Sequence, residues 1–171
     1  MTCYLDCEAD IRWNFDHKDL YEQSVEAVLD EEECPYEALV SLLVTDDAGI
    51  CEINYEMRNI NSPTDVLSFP MTELPAPSDF TKCEEQPDYF DPESGELLLG
   101  DIVISAERVE AQAKEYGHDI QREFSFLIVH SMLHLCGYDH IEDSDRILME
   151  ERQKIIMERL SKDFPLLAVK G

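Results

Sequence analysis

The chain has 171 residues, 44% hydrophobic and 9% aromatic, with 13 Lys+Arg against 39 Asp+Glu and a formal net charge of −26. That length suits one compact domain spanning residues 1–171, and the apolar content excludes the low-hydrophobicity signature of disorder. No apolar run approaches the ~18 residues of a membrane span, Met1–Asp6 has neither the basic nor the apolar part of a secretory signal, and the charge taken alone argues against nucleic acid, whose phosphates attract Lys and Arg.

The first residues show no clear periodicity, and a strand is expected within Ala9–Phe15. His17–Glu32 places Leu20, Val25, Val28 and Leu29 at helical spacing. Ala38–Thr45 is a short apolar run closed by Asp46-Asp47 and reads as a buried strand. Ile50–Asn59, with Ile53 and Met57 four apart, suits a short helix. Pro63 breaks the chain, and Val66–Phe69 reads as a strand that stops at Pro70. Thr72–Leu98 carries Pro75, Pro77, Pro87 and Pro92 among 8 acids and 1 base, which predicts a long acidic surface loop. Leu97–Ser105 is a further strand. Ala106–Tyr116 is a helix ending at Gly117, and Asp119 caps a second that runs to about Cys136 and ends at Gly137. The last helix is expected over Asp143–Leu160, with Ile147, Leu148, Met149, Ile155, Ile156 and Leu160 as its apolar stripe. Strands come early and helices late, which predicts an α+β domain: a small mixed sheet of about four strands packed with several helices.

The charge is uneven. Residues 1–33 hold 11 acids and 2 bases, whereas residues 99–171 hold 14 acids and 9 bases. The six cysteines, Cys3, Cys7, Cys34, Cys51, Cys83 and Cys136, include no C-x-x-C pair and are expected as reduced thiols in a cytoplasmic protein, several of them buried. Trp13 is expected to pack, and His17 and His118 to be solvated.

The chemistry is concentrated in His130-Ser131-Met132-Leu133-His134-Leu135-Cys136-Gly137-Tyr138-Asp139-His140. Four helical steps turn about 400°, so His130 and His134 project from one face, the geometry one helix offers to a tetrahedral zinc. Gly137 permits the left-handed conformation that turns the chain and brings His140 back as a third ligand. Three neutral imidazoles leave one position open, which points to catalysis rather than a closed structural site. The spacing His-x-x-x-His-x-x-Gly-x-x-His matches the metzincin pattern except that Ser131 stands where those peptidases have their Glu base. The metal frame of a zinc hydrolase is present without the peptidase base.

Arg58 is the only Lys or Arg between Lys18 and Lys82. It either binds phosphate through its guanidinium fork or pairs with a local acid such as Asp65. Asp101 either supports a ligating imidazole from behind or closes a turn, and Asp139 has the same two readings.

Three blocks resemble the YbeY family of bacterial endoribonucleases: Asn54-x-x-x-Arg58 followed by Thr64-Asp65-Val66-Leu67-Ser68-Phe69-Pro70; Leu99-Gly100-Asp101-Ile102; and the histidine block continuing into Ile141-Glu142-Asp143. The resemblance covers roughly residues 40–160. It implies a zincin-like core and a zinc-dependent, single-strand-specific endoribonuclease acting in 16S rRNA 3′-end maturation and small-subunit quality control. It implies one Zn2+ per chain held by His130, His134 and His140, with Arg58 and His134 catalytic. It implies single-stranded RNA and the small ribosomal subunit with its proteins as partners, in the cytoplasm, with no membrane and no DNA. The chain departs from the family in having Ser131 where Gly is usual and a longer Thr72–Leu98 loop.

Two other functions compete: a metzincin-like metallopeptidase with a base from elsewhere, such as Glu142, and a non-enzymatic ribosome-assembly factor with structural zinc. In the leading reading the acidic charge weakens non-specific RNA binding, so a basic docking partner, such as a ribosomal protein, is expected.

Overall fold

The computed structural model describes residues 1–168. Its four strands are β1 (Thr2–Cys7), β2 (Ala38–Thr45), β3 (Val66–Pro70) and β4 (Leu97–Ser105). Its five α-helices are α1 (His17–Glu31), α2 (Asp47–Arg58), α3 (Ala106–Tyr116), α4 (Ile120–Leu135) and α5 (Asp143–Asp163). The sheet order is β1-β2-β4-β3, with β1, β2 and β4 parallel and β3 antiparallel along the edge. This is the expected α+β architecture with a mixed sheet.

Side-chain alternation along the strands separates two packed layers. Val40, Leu42, Ile102 and Ile104 point to the face covered by α1, α4 and α5, where Tyr21, Phe124, Ile128 and Met132 complete the main core. Leu67 and Val103 point the other way and meet Ile50 of α2. Ser24 and Ser125 are both fully buried and share a 2.8 Å hydrogen bond, so α1 approaches α4 at two small residues whose hydroxyls satisfy one another.

Helix ends follow local chemistry. Asp46 accepts from the Gly49 amide at 2.8 Å, which starts α2 at Asp47 rather than at Ile50. Asp119 accepts from Gln121, and Gly117 ends α3 at φ +70°. The acidic segment is irregular apart from two short 3-10 turns, Cys83–Glu85 and Pro87–Tyr89, and its last residues, Leu97 and Leu98, already belong to β4.

Three expectations need correction. The first strand is Thr2–Cys7, not Ala9–Phe15. Its signal lies in its partner, since every residue from Thr2 to Cys7 is in parallel register with Leu39–Val44 of β2. In the irregular stretch that follows, Ile11, Trp13 and Phe15 pack their side chains on the core. The buried stripe of α5 is Met149, Gln153, Ile156, Met157 and Leu160, whereas Ile147, Leu148 and Ile155 are exposed. Finally, His17 and His118 are not free in solvent. His17 lies edge-on to Trp13 and Phe124, and His118 Nε2 lies 2.7 Å from the carboxylate of buried Glu123, which also accepts from Gln112.

Candidate metal centre

The site is built on the C-terminal end of α4. Gly137 takes φ +95°, its amide donates to the His134 carbonyl at 3.0 Å, and the Tyr138 amide donates to Leu133 at 3.0 Å. These two bonds form a Schellman closure, and they fold the following residues back over the last helical turn. His140 thereby returns to His130 and His134. One ring nitrogen from each of the three lies within 4.8 Å of the others. The Nε2 atoms of His130 and His134 are 3.2 Å apart, and His140 faces both rings.

The protonation states suit ligation. The Tyr138 carbonyl lies 2.9 Å from His134 Nδ1 and can only accept, so that nitrogen carries the hydrogen and Nε2 keeps its lone pair for the centre. Burial, followed by the neighbouring His134, pushes His130 down to about 4, and burial lowers His134 as well. Both rings are therefore neutral near pH 7, the state a metal requires. Three convergent imidazoles with no carboxylate donor in the cluster fit a divalent transition metal better than magnesium or calcium.

The histidines open onto a groove of about 960 Å³ whose lining includes residues of β3 and Arg58. Arg58 is the exposed last residue of α2, and among the described residues it forms no ion pair. Asp65 is engaged elsewhere, accepting from the Val66 amide at 2.8 Å and from Gln112 at 3.4 Å. The local Arg58–Asp65 pair is thus absent, and the guanidinium is free to face the groove.

Ser131, at the position of the peptidase base, is fully buried and its hydroxyl shares a 2.5 Å hydrogen bond with Ser68 of β3. It joins α4 to the edge strand, and the groove has no carboxylate at that place. Glu142 occupies the N-cap position of α5 without a side-chain capping bond, and it does not line the groove. Asp101 stands mid-strand between Ser41 and Phe69, on the sheet face away from α4, and no imidazole bonds to it. Its environment is desolvated enough to raise its carboxyl pKa. Asp139 lines the groove and accepts from the His140 amide at 2.7 Å, so it shapes the turn that carries the third histidine.

Two features escape sequence reasoning. Leu74 and its neighbours Ala76 and Pro77 lie against Gly137, so the first part of the acidic loop forms a wall of the site. Ser68 lines the groove and bonds to Ser131 of α4. Its place in the Thr64–Pro70 block is the one signal that could have found it.

Comparison with known proteins agrees with this geometry. The family described as Endoribonuclease YbeY matches residues 6–161. Two proteins named Endoribonuclease YbeY, from Lachnoclostridium phytofermentans and Agathobacter rectalis, are 52% and 49% identical, each alignment covering 94% of this chain and 98% of the relative. The solution structure of TM1509 from Thermotoga maritima superimposes with a TM-score of 0.61 at 23% identity, covering 99% of this chain and 98% of that one, which establishes the shared fold. With a motif match along almost its whole length and relatives of this identity, the chain belongs to the YbeY endoribonuclease family.

Proposed function

We propose that this protein is a zinc-dependent endoribonuclease that cuts single-stranded RNA, acting in the cytoplasm on the 3′ end of 16S rRNA and in quality control of the small ribosomal subunit. The observation that carries the reading is the convergence of three imidazoles on a single groove with an arginine that has no ion pair among the described residues, in a chain whose relatives are named endoribonucleases. His130, His134 and His140 would hold one zinc ion. Zinc, when bound, supplies Lewis acidity toward a phosphoryl oxygen and lowers the pKa of water.

The protein's own groups do the rest. Arg58 offers two parallel N–H donors to the non-bridging oxygens of the scissile phosphate and opposes the charge that builds in the pentacovalent transition state. His134, fixed by the Tyr138 carbonyl, holds its ring plane at the centre without rotation. Leu74 and the β3 edge form a groove that receives a single strand. A duplex keeps its phosphates on a rigid rod, whereas a single strand bends into such a groove. The buried hydroxyl of Ser131 leaves peptide hydrolysis without its base.

The test measures zinc content and cleavage of a single-stranded RNA from the 16S 3′ region together. Arg58→Ala is expected to retain stoichiometric zinc and wild-type stability while kcat falls about 100-fold or more. Stoichiometric zinc with no cleavage by the wild type, alone or with small subunits, overturns the proposal.

A further inference from the structure

A second set of polar groups lies behind the metal centre, and the mechanism above does not use it. Glu32, just past the end of α1, is only 6% exposed, yet its carboxylate is surrounded by donors. The Tyr138 hydroxyl donates to Oε1, the Ser78 hydroxyl donates to the same atom at 2.8 Å, and Arg152 of α5 donates to Oε2 at 2.8 Å. Arg152 also reaches the Glu31 carbonyl at 3.0 Å. Burying a carboxylate and a guanidinium together gains little net stability, because their desolvation offsets most of their attraction. Such a network is better suited to fixing one geometry, provided that each member has its partners, and these do.

The geometry it fixes belongs to the metal loop. Tyr138 is the residue after Gly137, and its carbonyl orients His134. Tyr138 is only 8% exposed, and the buried Glu32 carboxylate accepts its hydroxyl hydrogen. Tyr138 is held at three points: its amide by Leu133, its carbonyl by His134 and its hydroxyl by Glu32. Ser78 brings the acidic loop to the same anchor, and its own amide donates to the Cys136 carbonyl at 2.8 Å.

We propose that Glu32 is a positioning residue for the metal centre, holding the Tyr138 hydroxyl so that the Tyr138 carbonyl keeps His134 aimed at the ion. This rests on the metal-binding reading of the three histidines. Four separate segments, the end of α1, the acidic loop, the Gly137 turn and α5, meet at one carboxylate whose only route to the reaction is through a ligand's orientation.

The experiment reads zinc affinity by competition with a chromophoric chelator, without any activity assay. Tyr138→Phe and Glu32→Gln are each expected to weaken zinc binding about tenfold. The double variant should weaken it no further than the worse single variant, since both cut one linkage. Cobalt-loaded Tyr138→Phe should show a shifted visible spectrum. Arg159→Met is the control, because Arg159 pairs with Asp30 and Glu31 on the same α1–α5 seam without touching Tyr138. It should lower the thermal midpoint and leave zinc affinity unchanged. Should Glu32→Gln fail to fold, Tyr138→Phe, which keeps the ring in its buried place, decides the question. A wild type that binds no zinc overturns the underlying site reading. A zinc-binding wild type matched to within about twofold by folded Tyr138→Phe overturns the role of Glu32 alone.

Discussion

At the scale of single residues, burial lowers the proton affinity of His130 and His134 in the candidate centre. His130 is pressed down to about 4 by burial, with His134 beside it, whereas an unfolded histidine titrates near 6.5. Between those two values the unfolded chain binds a proton that the folded, metal-free protein refuses. Stability therefore falls as pH drops from about 6.5 toward 4, and this group adds no pH dependence above that window. The full effect is on the order of 3 kcal/mol, from about 1.4 kcal/mol per pH unit over the window. Urea unfolding of the metal-free protein at pH 7.5 and 5.0 measures it, with His130→Gln as reference. The variant should lose less stability on acidification than the wild type, because its side chain does not titrate. Equal losses in the two proteins would mean that His130 accepts its proton freely in the fold.

At the scale of elements, the sheet and α4 come close enough that one glycine decides the contact. Gly100 sits beside a bulge in β4, where the register with β2 shifts after Leu39, and its φ is +151°. A Cβ there would lie 2.4 Å from the Phe69 carbonyl oxygen and 2.8 Å from Leu135, the last residue of α4. Gly100→Ala should therefore cost about 3 kcal/mol or more, combining a disfavoured backbone conformation with a clash against backbone that cannot move away. Gly117→Ala, also at positive φ but with open space around it, should cost only about 1 kcal/mol. Denaturant midpoints of the two variants separate strain from crowding, and equal losses would remove the case for a tight α4–β3 approach. The same elements show what the sequence could reveal. β2, β4, α3 and α4 were legible because their signals are local: apolar runs, an Asp cap, a terminal glycine. β1 was not, because its pairing with β2 is a tertiary fact carried by residues more than thirty positions away. In α5 six apolar positions span more of the helix than one face can bury, so the sequence overstated the stripe and left Gln153 unsuspected within it. The three histidines were legible from spacing alone. Glu32, Ser78 and Arg152 were not, since no spacing connects a helix end, an acidic loop and the last helix.

At the scale of the whole molecule, a net charge of −26 and an RNA substrate pull in opposite directions. The structure resolves how both can hold. Among the described residues Arg58 is the only Lys or Arg along the groove, whose acids are Asp65, Glu73 and Asp139. The densest acidic stretches, residues 1–33 and 72–98, lie mostly on β1, α1 and the long loop; of their acids only Glu73 lines the groove among the described residues, and α1 packs against α4 on the same face of the sheet. Acids more than about 10 Å from a phosphate are largely screened at physiological salt, so they weaken long-range attraction without cancelling a contact inside the groove. With roughly one or two phosphates neutralised, log K for a single strand should fall with log salt at a slope of only about −1, since each neutralised phosphate contributes about −0.7. Fluorescence anisotropy of a single-stranded RNA, read before turnover from about 50 to 300 mM KCl, measures that slope. The expected outcome is weak binding with shallow salt dependence, and Arg58→Ala should flatten it further. A slope steeper than about −4 would require several Lys or Arg contacts beyond Arg58, and would move the RNA contact away from the Arg58 groove.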